Sequence, residues 1–268
     1  MGEKGEVIVV TSGKGGVGKT TTVANLGTGL ALQDKQVVLI DADIGLRNLD
    51  VIMGLENRIV YDIVDVTEGN ARLEQALIKD KRFPGLYLLP AAQTKDKSAI
   101  STEQMQNICN KLKENFDYIM IDSPAGIEQG FKNAIAGADR AVVVTTPEVT
   151  AARDADRIIG LLEAENIHNH FLIINRIKPE MVHRNDMLNI DDIVGLLSIE
   201  LLGVVPDDEQ VIVSTNRGDP LVNQAGEKAS RAYQNITKRL LGEKIPLMNM
   251  ESNERFMAKL KKFIGFAN

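Results

Sequence analysis

The stretch SGKGGVGKTT, residues 12–21, combines glycines with lysines and threonines, a composition suited to binding phosphate groups. Two fingerprints overlap in it. Its glycines spell the G-x-G-x-x-G of dinucleotide sites, while Gly13, Gly18, Lys19 and Thr20 spell the G-x-x-x-x-G-K-T of a nucleoside-triphosphate P-loop. The ammonium of Lys19 can meet β- and γ-phosphate charge, and the Thr20 hydroxyl can coordinate Mg²⁺. Because the dinucleotide interpretation leaves both side chains without a role, the sequence favours a triphosphate.

The phosphates are expected to contact the loop through its backbone amides as well as through its side chains. Glycines let the backbone curl until several N–H groups point inward, and the following helix adds its positive N-terminal end. The residues predicted to bind the nucleotide here are Gly15, Gly16, Val17, Gly18, Lys19, Thr20 and Thr21. Lys14, at the entrance of the loop, is an additional cation that could stabilise charge developing during phosphoryl transfer.

Acidic residues follow two apolar runs of the sequence. The run YIMID ends at Asp122, the position where a P-loop protein keeps its metal-associated carboxylate. The run QVVLID ends at Asp41, with Asp43 two residues beyond, and in a dinucleotide site this pair would be the candidate ribose ligand. A cap or turn role for the pair is the structural alternative.

The predicted base is adenine. Guanine-specific P-loop proteins use an N-K-x-D element, whereas this chain reads Asn175-Arg176-Ile177-Lys178, with a lysine in place of the aspartate. Asn175 can still pair with the edge of adenine; its alternative is a turn residue at the end of a strand.

Seven short apolar runs alternate with helix-periodic segments. The runs are continuous rather than alternating, as in strands covered by helices on both faces. They span 6–12, 36–41, 86–90, 117–122, 140–146, 170–175 and 201–205. The alternation predicts an α/β fold, a mostly parallel twisted sheet flanked by helices, with ligands at the carboxyl ends of the strands.

Bulk composition narrows the functional classes. The chain has 268 residues, 44% hydrophobic and 25% charged, with a net charge of −6 that argues against a surface devoted to nucleic acid. No apolar run approaches the roughly 20 residues of a transmembrane helix. The single cysteine, Cys109, lies in a helix-like segment and is predicted to be a packing residue in a reducing cytoplasm.

The C-terminal sequence differs in character from the rest. We expect a P-loop ATPase domain over 1–241, a linker over 242–254 that begins with breakers, and an amphipathic helix over 255–268. On a helix, large apolar residues share one face and lysines lie opposite them: Phe256, Leu260, Phe263 and Ile264 against Lys259 and Lys262. Such a helix is typical of binding at an anionic membrane surface, and docking on the domain is the alternative.

With Lys14 in place, the loop KGGVGKTT resembles the deviant Walker A motif of the ParA/MinD family of ATPases. The segments 41–66, 122–130 and 145–162 resemble the switch I region, the switch II region and the following helix of that family, and the similarity extends over 6–241. The resemblance implies ATP and Mg²⁺ as ligands and a homodimer that sandwiches two nucleotides. In that dimer Lys14 reaches the partner's nucleotide.

The family's site residues can be carried onto matching positions of this chain. The resemblance implies that Asp43 orients the attacking water and that Lys14 and Lys19 act with it in catalysis. Around Mg²⁺ it implies Thr20 as a direct ligand, with Asp41 and Asp122 acting through water. The residues implied to lie against the nucleotide base are Asn175, Arg176, Pro206 and Asp207.

The resemblance also implies a cellular role. It is strongest to the branch that positions the division septum, which recruits a MinC-like inhibitor and is released by a MinE-like or polar-scaffold regulator. The protein would then be cytoplasmic and would lie peripherally on the inner face of the cell membrane in its ATP state, because two weak tails gain avidity in an ATP-held dimer. The charged helix after Thr150 is the candidate partner surface.

Four other classes share parts of this pattern. A ParA-type DNA-partitioning ATPase and a flagellar-number regulator are the main alternatives. No nucleic-acid partner is expected, because the net charge is acidic and the tail is amphipathic. A nitrogenase iron protein needs more than one cysteine, and a nicotinamide-dependent oxidoreductase does not explain Lys19 and Thr20.

Overall fold

The computed structural model describes residues 5–95, 99–226 and 228–248. These ranges contain eight strands: β1 (Glu6–Thr11), β2 (Val37–Asp41), β3 (Ile78–Lys79), β4 (Leu86–Leu89), β5 (Tyr118–Asp122), β6 (Arg140–Thr145), β7 (His170–Ile177) and β8 (Glu200–Pro206). They form one sheet in the order β3-β4-β2-β5-β1-β6-β7-β8, and every pair is parallel except the antiparallel β3–β4 pair at the edge. The predicted fold class is confirmed.

Helices cover both faces of the sheet. Within the same ranges they are α1 (Lys19–Ala31), α2 (Leu49–Ile52), α3 (Ile63–Thr67), α4 (Leu73–Ala76), α5 (Thr102–Leu112), α6 (Gln129–Ile135), α7 (Val149–Ala164), α8 (Pro179–His183), α9 (Ile190–Leu197), α10 (Glu209–Asn216) and α11 (Lys228–Leu240). Two short 3₁₀ turns, Glu56–Arg58 and Leu221–Asn223, complete the set.

The core explains why the strands are continuous apolar runs. Alternate residues of β1 enter different hydrophobic clusters: Val7 and Val9 pack on the side of α5, α6, α7 and α9, while Ile8 and Val10 pack on the side of α1 and α11. All four of these side chains are fully buried. A central strand with helices on both sides must be apolar at every position.

The sequence predicted seven of the eight strands and missed β3. This strand has only two residues, Ile78 and Lys79, and it pairs with Tyr87 and Leu88 at the edge of the sheet. A two-residue strand carries no periodicity, so only the tertiary pairing defines it.

Cys109 is buried in α5, as predicted for a packing residue. A Cβ atom added at Gly137 would lie 2.7 Å from its Sγ atom, so the two positions fit each other closely. Burial raises the pKa of the Cys109 thiol to about 12, which keeps it in its neutral form.

The segment after α11 begins against the domain. The Arg239 guanidinium donates hydrogen bonds of 2.8 Å to the carbonyl oxygens of Ile245 and Pro246, and one of 2.9 Å to that of Leu202 in β8. The first residues of the predicted linker are therefore tied to the sheet. Residues 249–254 and the predicted amphipathic helix 255–268 lie outside the described residues. Across the described ranges, no helix has both the length and the apolarity needed to cross a bilayer.

Candidate nucleotide site

The P-loop lies at the centre of the sheet's carboxyl edge. It connects β1 to α1, and β1 pairs with β5 on one side and β6 on the other. The strand register places Asp122 beside Val10 of β1 and beside Asp41 of β2. Residues far apart in the sequence, the loop and two acidic strand ends, therefore meet at one edge.

Two glycines give the loop its shape. Gly16 and Gly18 have φ angles of 77° and 99°, a left-handed conformation that side chains disfavour. A Cβ atom on Gly18 would also lie 2.3 Å from Asn175 Nδ2. Gly18 caps α1 without a side chain, so the amides of the first helical turn face the loop, as anion binding requires.

Lys19, Thr20 and Asp122 lie together behind the loop. Lys19 is only 8% exposed. The Thr20 hydroxyl and the Lys19 charge both act on the Asp122 carboxylate and lower its pKa. The Asp122 Oδ1 atom is buried and accepts no hydrogen bond from the described residues. A buried carboxylate oxygen in that state fits a cation or its water ligands.

Asp41 and Asp122 are adjacent buried carboxylates, each 1% exposed. Burial raises the pKa of Asp41 to about 7. Hydrogen bonds from the amides of Asp43 and Leu49 act in the opposite direction, but their effect is smaller than that of burial. Burial and then the neighbouring Asp41 charge raise the pKa of Asp122 well above its usual range. A divalent cation would offset both effects, since hard oxygen donors suit Mg²⁺.

The donor set also indicates which kind of metal site is possible. The described part of the chain has no group of three or more His, Cys, Asp or Glu side chains able to hold a metal ion by themselves. Mg²⁺ usually keeps several waters and binds through one or two protein groups plus substrate phosphates. Thr20, Asp41 and Asp122 therefore fit a magnesium ion that arrives with a nucleotide.

Asp43 begins the loop that follows β2 at this edge. Its amide donates a hydrogen bond of 3.0 Å to Asp41 Oδ1, and its carbonyl oxygen accepts the amides of Leu46 and Arg47 at 3.2 Å. Its side chain is half-buried. The backbone around Asp43 is thus fixed to the carboxylate predicted to lie near the metal.

Lys14 lies at the entrance of the P-loop, on the surface. Its Nζ atom is 3.3 Å from Glu148 Oε2, and the two side chains are 47% and 56% exposed. Glu148 immediately precedes α7, and the loop also contacts that helix, since a Cβ atom on Gly13 would lie 2.3 Å from the Asp154 carbonyl oxygen. In this structure Lys14 is therefore paired within its own chain.

Asn175 has a role that the sequence did not reveal. Its Nδ2 atom donates a hydrogen bond of 2.8 Å to the Val17 carbonyl oxygen, and its Oδ1 atom accepts one of 3.0 Å from the Arg176 amide. The residue is 6% exposed and supports the P-loop from below. No local signal predicts this, because the two partners are 158 residues apart.

The other residues predicted to contact the base lie at the carboxyl ends of β7 and β8. Arg176 is exposed and has a left-handed φ of 59°, whereas Pro206 is buried at the end of β8. Asp207 is exposed and its Oδ2 atom lies 3.1 Å from Lys178 Nζ. The lysine that replaces the guanine-specific aspartate is thus bound to the segment predicted to lie against the base.

A cleft of about 720 Å³ adjoins these strand ends and is lined by Arg176, Lys178 and Asp207. Its walls come from the carboxyl ends of β6, β7 and β8 and from the segment 181–189. Its charged and polar lining includes Glu148, Arg176, Lys178, Asn189, Asp192 and Asp207.

Comparison with known proteins identifies the family. The CobQ/CobB/MinD/ParA nucleotide binding domain matches residues 8–221. The septum site-determining protein MinD of Bacillus subtilis is 60% identical over 264 residues, which cover 97% of this chain and 98% of that protein.

Solved structures agree with this assignment. The MinC:MinD cell division protein complex of Aquifex aeolicus contains a chain 53% identical to this one, with a TM-score of 0.86 over 91% of this chain and 98% of that chain. The septum site-determining protein MinD of Pyrococcus horikoshii, complexed with Mg-ADP, is 26% identical, with a TM-score of 0.80 over 90% and 99%. The chain therefore belongs to the MinD branch of the CobQ/CobB/MinD/ParA family of nucleotide-binding domains.

Proposed function

We propose that this protein is an ATPase that acts as a switch. In its ATP state it forms a homodimer, associates with the inner face of the cell membrane, and positions the division septum by recruiting a MinC-like inhibitor. Hydrolysis returns it to the cytoplasm. The observation that carries the proposal is the convergence of Lys19, Thr20, Asp41 and Asp122 on a P-loop whose entrance holds a second lysine.

The proposed chemistry assigns one task to each group. The backbone amides from Gly15 to Thr21 and the Lys19 ammonium hold the phosphates, and Thr20, Asp41 and Asp122 hold the metal or its waters. When bound, Mg²⁺ neutralises charge on the β- and γ-phosphates. Asp43 orients the attacking water by accepting a hydrogen bond from it.

Lys14 is proposed to act in trans. An ammonium next to the transferred phosphoryl group stabilises charge that develops there, as an arginine finger does. To act on a partner's nucleotide, Lys14 must leave Glu148, and a solvent-exposed ion pair of this kind is worth only ~0–1 kcal/mol. The exchange of partners is therefore inexpensive, which is compatible with reversible dimerisation.

The base is proposed to be adenine, held by Asn175, Arg176, Pro206 and Asp207. The Lys178–Asp207 ion pair supports this choice, because an aspartate that would accept from guanine N1 and N2 is replaced by a lysine already paired with a carboxylate. Asn175 also positions the loop, so its substitution is expected to affect all nucleotides.

The C-terminal helix predicted from the sequence is the part of the protein that we propose binds the membrane. A helix over 255–268 with an apolar face and lysines opposite would bind anionic lipid weakly as one copy, and more strongly as two copies in a dimer. Release would be controlled by a MinE-like or polar-scaffold regulator.

Co-sedimentation with anionic vesicles tests this function. With Mg²⁺ present, the full chain should pellet in ATP and remain in the supernatant in ADP, and a chain ending at residue 254 should pellet in neither. Equal pelleting in ATP and ADP would contradict the switch. Retention on DNA instead of vesicles in ATP would favour a DNA-partitioning ATPase.

A further inference from the structure

The loop between β2 and α2 carries Asp43 and is fixed at both of its ends. At the start, Asp41 Oδ1 accepts the Asp43 amide at 3.0 Å; at the end, Asp41 Oδ2 accepts the Leu49 amide at 3.2 Å. Between them, the Asp43 carbonyl oxygen closes a turn by accepting the amide of Arg47. One carboxylate near the proposed metal thus supports both ends of the loop.

The turn contains an unusual backbone conformation. Arg47 has a φ angle of 45°, in the left-handed region that non-glycine residues seldom adopt. Such conformations persist only where the surrounding structure compensates for their cost, and they are concentrated at functional sites. The contacts of the Arg47 side chain therefore bear directly on how the turn is held.

The Arg47 side chain forms an ion pair with Asp50. The Asp50 Oδ2 atom lies 2.8 Å from Arg47 Nε, and the two side chains are 1% and 16% exposed. Burial raises the pKa of Asp50, and the Arg47 charge opposes this rise. In a pair this buried, each charge needs the other, because removing one partner leaves an uncompensated ion in the protein interior.

We infer that Asp50 is a positioning residue for ATP hydrolysis, because its carboxylate holds the Arg47 guanidinium and, through it, the left-handed turn that directs Asp43. This inference rests on the proposed ATPase function. Asp50 lies seven residues beyond Asp43 and acts through Arg47 rather than on the nucleotide. Its loss should therefore affect the catalytic rate while leaving the phosphate cradle of the P-loop intact.

Substitution at both positions tests the inference by turnover. Asp50→Asn and Arg47→Ala should each lower kcat by about ten-fold to a hundred-fold, the range expected for a misplaced catalytic group. ADP affinity, ATP-dependent dimerisation and KM should stay within about two-fold of wild type. Alanine keeps the cost of the left-handed φ and lacks the guanidinium, so Arg47→Ala leaves the turn without its compensating contact. It also serves as the second variant if Asp50→Asn does not fold.

A double variant tests whether the two residues act as one unit. Arg47→Ala combined with Asp50→Asn should turn over no more slowly than the slower single variant, because both remove the same contact. Arg184→Gln, which breaks the exposed Arg184–Asp186 pair, is the matched control and should have wild-type turnover. Additive losses in the double variant would overturn the inference.

Hydrogen exchange separates a failure of this inference from a failure of the proposed function. In nucleotide-free protein, Asp50→Asn should raise amide exchange of Asp43, Leu46 and Arg47 by about ten-fold or more and leave β1 unchanged. This readout needs no ATPase activity, so an inactive wild type would refute the ATPase but leave the loop contact testable. Wild-type turnover in Asp50→Asn, or lowered turnover with unchanged exchange, would overturn the positioning role.

Discussion

The Asn175 side chain donates a hydrogen bond of 2.8 Å from Nδ2 to the Val17 carbonyl oxygen, and in this way the end of β7 supports the middle of the P-loop. Gly18 has no side chain at the point where a Cβ atom would meet this amide. The loop therefore depends on a contact from β7, which lies two strands away from β1 in the sheet, as well as on its own glycines.

Asn175→Ala should weaken binding of ADP by about ten-fold. The substitution leaves the buried Val17 carbonyl oxygen without its donor, which costs ~1–3 kcal/mol, and the loop loses its support. If Asn175 acts mainly by positioning the loop and not by contacting the base, the affinity for GDP should fall as much as the affinity for ADP. Nucleotide titrations monitored by fluorescence would measure both.

Asn133→Ala is the matched control for this prediction. Asn133 is also a buried asparagine, and it donates a hydrogen bond of 2.6 Å to the Ile100 carbonyl oxygen, away from the P-loop. It should lower the melting temperature to a similar degree and leave nucleotide affinity unchanged. A loss for ADP alone in Asn175→Ala would instead assign the residue to base recognition.

Lys14→Gln should separate nucleotide binding from dimerisation. Lys14 lies on the surface and pairs only with exposed Glu148 among the contacts described, so its removal should leave folding and ADP affinity close to wild type. ATP-dependent dimerisation and hydrolysis should fall sharply, because the partner's nucleotide loses a cation. Light scattering and phosphate release would measure the two effects.

Lys19→Ala serves as the contrasting variant. Its side chain is buried behind the loop, so its loss should reduce nucleotide affinity as well as turnover. If Lys14→Gln reduced ADP affinity as strongly as Lys19→Ala, Lys14 would be a ligand in cis and not a residue acting across a dimer.

Asp43→Ala should bind ATP and dimerise yet hydrolyse slowly. Positioned proton acceptors of this kind contribute ~10²–10⁴-fold to reaction rates, and we expect the hydrolysis rate to fall by at least about 10²-fold. The Asp43 amide, which bonds Asp41, is retained in the variant, so the metal site should survive. Single-turnover phosphate release from the preformed complex would measure the loss, and an unchanged rate would reassign the role of Asp43.

Asp122→Asn should stabilise the protein in the absence of nucleotide and metal, and more so as pH rises. Burial and the Asp41 charge raise the pKa of Asp122, so the folded state holds its proton more tightly than the unfolded chain. Ionisation therefore costs stability above the unfolded pKa of about 4, and the cost grows until the folded pKa is passed. Asparagine cannot ionise, and the melting temperature of the variant should exceed that of wild type at pH 8 by more than at pH 5.

The control and the reversal of this effect are both measurable. Asp34→Asn removes an exposed carboxylate at a left-handed position that asparagine also tolerates, so its melting temperature should track wild type across the same pH range. With Mg²⁺ and ADP added, the variant should have the lower melting temperature, because it keeps only Asp41 of the two adjacent carboxylates proposed to hold the cation or its waters. A variant stabilised equally at both pH values would contradict the assignment of a raised pKa.

The parts of the site that the sequence predicted are those encoded locally. The P-loop is a contiguous motif, and Asp41 and Asp122 end buried strands that the topology must bring to one edge. Their placement at the ligand edge follows from position in a parallel sheet, which apolar runs and helix periodicity already indicate, whereas the proposed metal role of Asp41 came from family resemblance. The task of Asp43 came from family resemblance, as did the action of Lys14 on a partner's nucleotide, whereas the charge of Lys14 at the loop entrance is read directly from the motif.

The parts that the sequence did not predict depend on contacts between distant segments. The Asn175–Val17 hydrogen bond and the pairing of β3 exist only in the folded chain. The Arg47–Asp50 pair is local, yet an arginine three residues before an aspartate is common in exposed helices, and only burial reveals its meaning. Residues 255–268 lie outside the described ranges, so the amphipathic tail stays a prediction.

The order of strands in the sheet determines when, during its synthesis, the protein can first bind nucleotide. β1 is made first, but it lies between β5 and β6, and the loop that follows it is supported by a residue synthesised 158 positions later. At ~5–20 residues per second, the ribosome needs roughly 8 to 30 seconds to cover that interval. The P-loop, the first functional segment to be synthesised, is thus completed by β7, which is synthesised much later. A nascent chain that stops before β7 should contain the whole P-loop motif and yet bind nucleotide weakly.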